Sequence, residues 1–404
     1  MANTLLTPTM VTREALRILH QKLNFIANIN RTYDDSFAVA GAKIGSSLKI
    51  RLPNQYTVRT GATFTTQAVV ESSVTLTVAT QKGVDTEFTS ADLALSLDDF
   101  SKRILSPAMA VLAAGVESDA LSMKNDVYNT IDNTTNASVS MSNILAARQR
   151  LNDTLAPQDD NRTALLTTQD SADLVNALKG LFQDANAIKQ QYREGMMGRT
   201  GGFDFYENTL LTNLTSGTHS ATSTMIVTDT IVPATAQSTI TVNQSTAPGT
   251  FVVGDVFTIA TLNRVHPESK ADTGVLQQFV VTAANVVGST STTSSIAFSP
   301  SIVMSGATQN VISTAISGQL LTKIGNTSRV LRQSLCFHKD AFAFVSADLV
   351  LPKGLHFAAR EVQDGISMRV LSDYAMTSDT IGTRIDILYG YKTIRPELAV
   401  KISS

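Results

Sequence analysis

A chain of 404 residues exceeds the usual size of one domain, and its 43% hydrophobic content is enough for a sizeable core. Its 32 basic and 34 acidic residues leave a net charge of −2, which excludes a long-range pull toward nucleic acid or an anionic membrane. Cys336 is the single cysteine, so an intrachain disulfide is excluded, and no apolar run approaches the roughly 18 residues that span a bilayer. The expectation is a protein made and used in a reducing cytoplasm, without a leader and without membrane contact.

From Thr12 to Asn28 the spacing predicts an amphipathic helix. Ala15, Leu16, Leu19, Leu23 and Ile26 recur every three or four residues, leaving Arg13, Arg17 and Lys22 on the polar side. Such a helix must dock on its own chain or on a neighbour. The three basic residues are either a solvated face or the receiver of an acidic partner. In SLKIRLPN and again in SSVTLTVATQ, apolar residues alternate with polar ones, Leu48, Ile50 and Leu52 in the first, Val74, Leu76 and Val78 in the second. That period of two at both ends of TGATFTTQ predicts a long hairpin with one polar face. A lone hairpin is marginal, so its apolar face should lie on another surface, and Leu76 and Val78 are candidate contacts with a neighbouring copy.

Ser106 before Pro107 marks a helix start, a capping side chain followed by a residue whose missing N–H is no loss there. Ala108, Val111, Leu112, Gly115, Met123 and Val127 mark the expected buried stripe of a rod of about 24 residues, roughly 36 Å long. Residues 130–211 read as α/β: a helix from Met141 to Leu151, an apolar stretch from Thr163 to Thr168, a helix from Ser171 to Leu181 and another over Ala185–Tyr192. The glycines of GMMGRTGG then break the pattern before a strand. Residues 213–320 form a compositional island with 6 charged residues in 108 positions, against 60 in the remaining 296, and 35 serines or threonines. Short strand candidates there, TMIVT, STITV, DVFTIA, LQQFVVTA and SIAFS, are separated by proline and glycine, which predicts a small closed barrel. Ordinary composition resumes near Thr322, and alternation at Ile385, Ile387 and Tyr389 predicts a closing sheet. The fold class is therefore α+β, one body into which the island is inserted.

Chemistry is sparse. His20, His219, His266, His338 and His356 are scattered outside metal-ligand spacing, and no HExxH, GxSxG or Walker sequence occurs. The pairs Asp34 and Asp35, Asp98 and Asp99, and Asp159 and Asp160 read as surface or capping groups, since chain neighbours point different ways. GMMGRTGG lacks the lysine followed by Ser/Thr of a phosphate loop and reads as a connector. HPESK, His266 to Lys270, reads as a solvated turn. No catalytic, cofactor or metal site is expected.

In order, the stretches EFTSADLALSLDDFSKRILSPAMAVLA, GRTGGFDFYENTLL, GDVFTIATLNRVHPESKADTGVLQQFVVTA, FHKDAFAFVSADLVLP and YGYKTIRPELAVKI resemble the tailed-bacteriophage major capsid proteins that carry an inserted β-barrel, the short-tailed Salmonella phage type. The resemblance implies an N-terminal arm over 1–40, an extended hairpin loop over 41–90 lying on an adjacent subunit, and a spine helix of the peripheral domain over 91–130. It further implies an axial domain in two parts, 131–212 and 321–380, the barrel over 213–320 on the outer surface, and C-terminal peripheral strands over 381–404. The implied function is a shell protein assembling with itself into pentamers and hexamers, aided by a scaffolding protein and a portal, enclosing double-stranded DNA and expanding as that DNA is packaged. The implied location is the virion, after assembly in the host cytoplasm. One departure is that ATLNRV continues a strand where a small residue is expected after GDVFTIA, so the turn there should differ. Two other particle roles fit the same reading, a nanocompartment shell or another virion component. An enzyme with an accessory β module would need convergent acids or a nucleophile–base pair, which are missing from the sequence.

Overall fold

The structure, a computed structural model, describes residues 8–32, 45–64, 66–67, 71–89, 106–133, 138–178, 198–219, 225–229, 236–244, 249–287, 293–312, 316–325, 327–352, 354–355, 357–363, 365–375 and 380–404. The expected helix over 185–192, the Asp34/Asp35 and Asp98/Asp99 pairs, the first three residues of GMMGRTGG and the start of the spine helix before Ser106 lie outside the described residues, as do the side chains of His20 and Lys22. In chain order the elements begin α1 (Pro8–Lys22), β1 (Ser46–Arg51), β2 (Ser73–Val78), β3 (Thr80–Thr89), α2 (Ser106–Leu121), β4 (Thr130–Asp132), α3 (Met141–Asp153), β5 (Arg162–Leu166), α4 (Thr168–Leu178), β6 (Arg199–Thr200) and β7 (Phe203–Glu207). Then come β8 (Leu214–Thr215), β9 (Met225–Val227), β10 (Gln237–Gln244), β11 (Gly249–Phe251), β12 (Val256–Val265), β13 (Asp272–Val281), β14 (Asn285–Val287), β15 (Thr293–Ile302), β16 (Val311–Ile312) and β17 (Leu320–Lys323). The chain closes with β18 (Val330–Leu331), β19 (Gln333–His338), β20 (Phe342–Ala347), β21 (Phe357–Gln363), β22 (Ile366–Ala375), β23 (Thr380–Thr393) and β24 (Ala399–Ser403).

Contacts divide the chain into two compact units. The first comprises residues 1–51, 73–122 and 342–394. Its backbone is β23, a 14-residue strand that pairs with β3 along one edge and with β22 and then β20 along the other, while β21 extends the sheet beyond β22. Helix α1 buries Ala15, Leu16, Ile18 and Leu19 and packs on β21, β22 and α2. Helix α2 runs 16 residues, about 24 Å, and ends in a 3-10 turn over Ser122–Asp126, shorter than the expected rod. Of the expected stripe, Ala108, Leu112, Met123 and Val127 are buried, but the buried face is broader and leaves out Val111. Val111 is 68% exposed, whereas Met109, Leu112, Ala113, Val116, Ala120 and Leu121 are buried. The segment is apolar nearly all round, so its own periodicity cannot choose a face.

The second unit comprises residues 52–72, 123–341 and 395–404. Its body sheet has the order β4-β24-β19-β5-β7-β6, parallel at β4–β24 and β5–β7 and antiparallel elsewhere. Helix α3 opens on Ser140, whose capping box with Asn143 satisfies the first turn, and packs on β24 and β19. The chain passes between the units at Ala341/Phe342 and again at Ile394/Arg395. Pairing gives the reason, since β19 is held between β24 and β5 while β20 is held on β23.

The island closes on itself. Strands β13-β15-β10-β9-β17-β12 pair in sequence, and β12 returns to β13, making a six-stranded antiparallel ring with β16 added on β12. Alternation fills it. Phe257, Ile259, Phe279 and Val281 point inward, where the rings of Phe257, Phe279 and Phe298 pack at centroid distances of 5.2 to 5.7 Å. Their neighbours Val256 and Val280 face outward and are buried against Tyr128 of the body. At ATLNRV, β12 continues through Val265 with register shifts against β13 between Thr258 and Asn263 and again before Val265, and Thr261 takes a left-handed φ of 65°. The departure from the expected turn is thus a bulged strand.

Candidate functional site

For a chain expected to grip copies of itself, the site is a set of surfaces and joints. The basic face of α1 is engaged locally: Arg17 donates to Glu14 at 2.6 and 2.9 Å, and Arg13 lies 3.6 Å from Glu361 on β21. Both remain largely in solvent, with side chains 53% and 71% exposed, so these pairs contribute little stability. The Lys22 side chain lies outside the described residues.

The predicted hairpin forms, with Leu48 opposite Leu76 and Ile50 opposite Val74. Its apolar face is consumed within the chain, for Leu76 and Val78 are fully buried and β2 packs on β23. The approach is backbone to backbone at Gly390, where a Cβ would sit 2.4 Å from the Thr77 carbonyl oxygen. Exposed apolar groups lie instead in the loop 52–72, with Tyr56, Val58 and Phe64 56%, 91% and 84% exposed. That loop is stiffened from within. Thr57 N–H donates to Gln67 Oε1 at 3.0 Å, Gln67 Nε2 donates back to the Thr57 carbonyl at 2.5 Å, and the Arg59 guanidinium donates to the carbonyls of Gly61 and Thr63.

Beneath the barrel lies a joint that the sequence reading missed. Three lysines give their ammonium groups to backbone carbonyls: Lys124 to Thr212, Lys323 to Gly217 at 2.5 Å and His219 at 3.3 Å, and Lys401 to Gly254 at 2.7 Å. Asp255 accepts from the backbone N–H groups of Gly217 and Val252, both at 3.0 Å. The side chain of Gln278 on β13 imitates a strand, accepting from Thr130 N–H at 2.8 Å and donating to the Thr130 carbonyl at 3.1 Å. Burial pushes the Lys401 ammonium down to about 7 and the Lys124 ammonium down to about 8, and it lowers Lys323 as well. His219, stacked on Phe251, is pushed down to about 4, first by burial and then by Lys323. The signal that could have exposed Lys401 is its setting, a single charge in AVKIS, a strand buried at every position.

Elsewhere polar groups serve structure. Asp170 accepts from Ser334 at 2.5 Å and Ser404 at 3.0 Å and pairs with Arg332 at 3.1 Å, tying α4 to the ends of β19 and β24 in the body sheet. His338 sits 3.1 Å from Asp159 and takes the Asp340 N–H on its Nδ1, with no nucleophile in the arrangement. His266 Nδ1 accepts from the N–H groups of Glu268 and Ser269, closing HPESK as a turn. Cys336 is buried and its thiol pushed up to about 12. Among the described residues, no group of three His, Cys, Asp or Glu could hold a metal, and no helix is long and apolar enough to cross a membrane.

Comparisons with known proteins match this arrangement to one family. The family model described as P22 coat protein, gene protein 5, matches residues 26–402. No curated protein matches the chain. Among solved structures, Mycobacterium phage Che8 is similar at 13% identity with a TM-score of 0.47, covering 94% of this chain and 90% of that one. The capsid structure of the cyanophage P-SCSP1u has 10% identity, a TM-score of 0.40 and coverages of 90% and 84%. The virus-like particle from Pyrococcus furiosus has 8% identity, a TM-score of 0.41 and coverages of 98% and 98%. The assignment rests on the family model, which takes in nearly the whole chain together with its inserted barrel. The chain belongs to the P22 coat protein family, capsid proteins of the tailed-phage fold that assemble themselves into icosahedral shells.

Proposed function

We propose that within this shell the loop 52–72 is the surface by which one copy grips the next. The observation that carries it is three large apolar side chains, Tyr56, Val58 and Phe64, held in solvent by a loop with its own hydrogen bonds. Such groups gain by burial against a partner, at about 25 cal/mol per Å² removed from water. The burial of Leu76 and Val78 within the chain moves the proposed contact from the strands to this loop. Arg13 and Arg17 form a second face, offered to an acidic partner such as a scaffolding protein.

The finer roles follow as part of the same proposal. Copies occupy pentameric and hexameric positions, because a loop that keeps its apolar contact while its exit angle varies tolerates both. Several modest footholds accumulate once the first is made, and weak single contacts let misplaced copies leave, which makes a scaffold useful. The first unit supplies the arm, the hairpin's strands and the spine of a peripheral domain. The body of the second supplies an axial domain, with the barrel as an outer module over residues 213–320. Assembly takes place in the host cytoplasm around a portal, the shell receives double-stranded DNA on its inner face, and it expands as that DNA enters. The protein has no enzymatic step in this reading. A V58D/F64D double variant tests it by electron microscopy and circular dichroism: folded subunits without shells are expected, and normal shells would refute the loop's role.

A further inference from the structure

The joint beneath the barrel contains a cavity of about 20 Å³. Thr130 of β4, Lys401 and Ser403 of β24 and Gln333 of β19 line it from three adjacent strands of the body sheet. Gly254 and Ile324 line it from the barrel side. Two polar groups at this wall have unused capacity. Gln333 is 2% exposed, and its Oε1 is a buried acceptor without a hydrogen-bond partner. The Lys401 ammonium carries three N–H donors, of which one goes to the Gly254 carbonyl at 2.7 Å.

Size and charge together select the occupant. One water needs roughly 10–15 Å³ of such cavity space and two to four polar partners, which this cavity provides once. A metal cation is repelled by the lysine. An anion is repelled by the carboxylates of Asp132 and Asp255, which also line the wall. What fits is a neutral group that both donates and accepts. We propose that the cavity holds one ordered water, donating to Gln333 Oε1 and accepting from Lys401 Nζ, so that the barrel is joined to the body sheet through a hydrated seam. This water relieves the orphaned acceptor and gives the ammonium a second partner, two costs that a dry cavity would leave standing. It stands independently of the assembly surface proposed above.

A cryo-electron microscopy map of the assembled particle at about 2 Å resolution tests it directly, the expected result being a peak within about 2.6–3.2 Å of both atoms. Stability gives a second reading through its sign. If Gln333 Oε1 is hydrated, Gln333→Met removes the water's partner and lowers the melting temperature of the full chain by about 2 °C or more. If the acceptor is bare, the same substitution deletes a buried orphan and raises it. An empty cavity in the map, or a Q333M chain that melts at or above the parent's temperature, overturns the proposal. So does a peak present in sodium chloride and lost in sodium glutamate, which would belong to an anion.

Discussion

The Glu117 carboxylate of α2 accepts the backbone N–H of Phe25 at 2.9 Å, and the same Oε1 takes the N–H of Asn24 at 3.2 Å. An acid that is 1% exposed on an otherwise apolar helix face is thereby spent on the turn that follows α1. It holds the 3-10 turn Ile26–Asn28 in place, with Phe25 packed edge-on to Phe342 at 5.5 Å. Glu117→Ala strips one buried and one part-buried donor of their acceptor and should cost about 1–3 kcal/mol in the unfolding free energy. Glu117→Gln, which keeps a carbonyl oxygen, should recover most of it. Urea unfolding of the two variants checks the order, and equal losses would show that packing alone fixes the arm.

Two glycines of β23 separate close approach from mere flexibility. At Gly390 a Cβ would meet the Thr77 carbonyl at 2.4 Å, whereas at Gly382 nothing lies within 4 Å. Gly390→Ala must therefore push β2 off the sheet, an overpacking cost of about 1–3 kcal/mol. Gly382→Ala should stay within about 0.5 kcal/mol of the parent. Denaturation midpoints of both, measured on soluble subunits, decide it, and indistinguishable values would mean that β2 shifts freely.

The hairpin divides in the same manner into a part that folds and a part that grips. Leu76→Ala empties a fully buried site and should cost about 2–5 kcal/mol in the isolated subunit. Phe64→Ser, at a position 84% exposed, should leave that subunit's stability within about 0.5 kcal/mol while reducing shell yield. Sedimentation read beside thermal melting distinguishes the two effects, and a stable L76A subunit that fails only in assembly would return the contact to the strand.

These outcomes bear on what could be read from residues alone. Alternation correctly marked Leu76 and Val78 as one apolar face, but period two carries no information about which surface covers that face. In the barrel DVFTIA and LQQFVVTA could be read as strands, and the structure turns their Phe257 and Phe279 inward. The outward burial of Val256 and Val280 on Tyr128 was hidden, because a valine facing a partner reads like a valine facing solvent. Helix α2 gave the opposite difficulty, with apolar residues on every side and hence no stripe to choose. The joint's lysines were passed over because a single charge in a strand is ordinarily an exposed one. Their burial depends on carbonyls far away in sequence, Gly254 for Lys401 and Thr212 for Lys124.

Lys401 predicts an alkaline response. Burial holds its ammonium near 7 against an ordinary 10.5. Between those values the unfolded chain binds a proton that the folded chain has released, so stability rises with pH from about 7 to 10.5. Below about 7 both states are charged and this contribution is flat. Lys401→Met should make the rise shallower, leaving the part that Lys124 contributes above about 8, and parallel urea midpoints for parent and variant from pH 7 to 9.5 would rule out the Lys401 ammonium as a source.

His219 predicts the acid side. Its ring stacks on Phe251 at 5.0 Å, is 1% exposed, and has neither nitrogen hydrogen-bonded, while Lys323 donates to its backbone carbonyl at 3.3 Å. A cation there would be buried, unpaired and beside another cation, which is why the folded ring stays neutral down to about 4 against an ordinary 6.5. The sign follows from the depressed value. Above 6.5 the ring is neutral in both states and the contribution is fully present. Between 6.5 and about 4 the unfolded ring is protonated and the folded one is not, so stability is lost as pH falls, and below about 4 the loss levels off. Acidic residues also titrate in this range, so the comparison needs a variant that keeps the stack without the proton. His219→Phe does that, and its unfolding free energy should fall less steeply from pH 6.5 to 4.5 than the parent's, the gap widening toward about 1.4 kcal/mol per pH unit. Hydrogen exchange of the barrel amides locates the effect, since loss of protection confined to the barrel's strands is expected of a charge appearing at its base. Superimposable profiles for parent and variant would place the acid sensitivity elsewhere in the subunit.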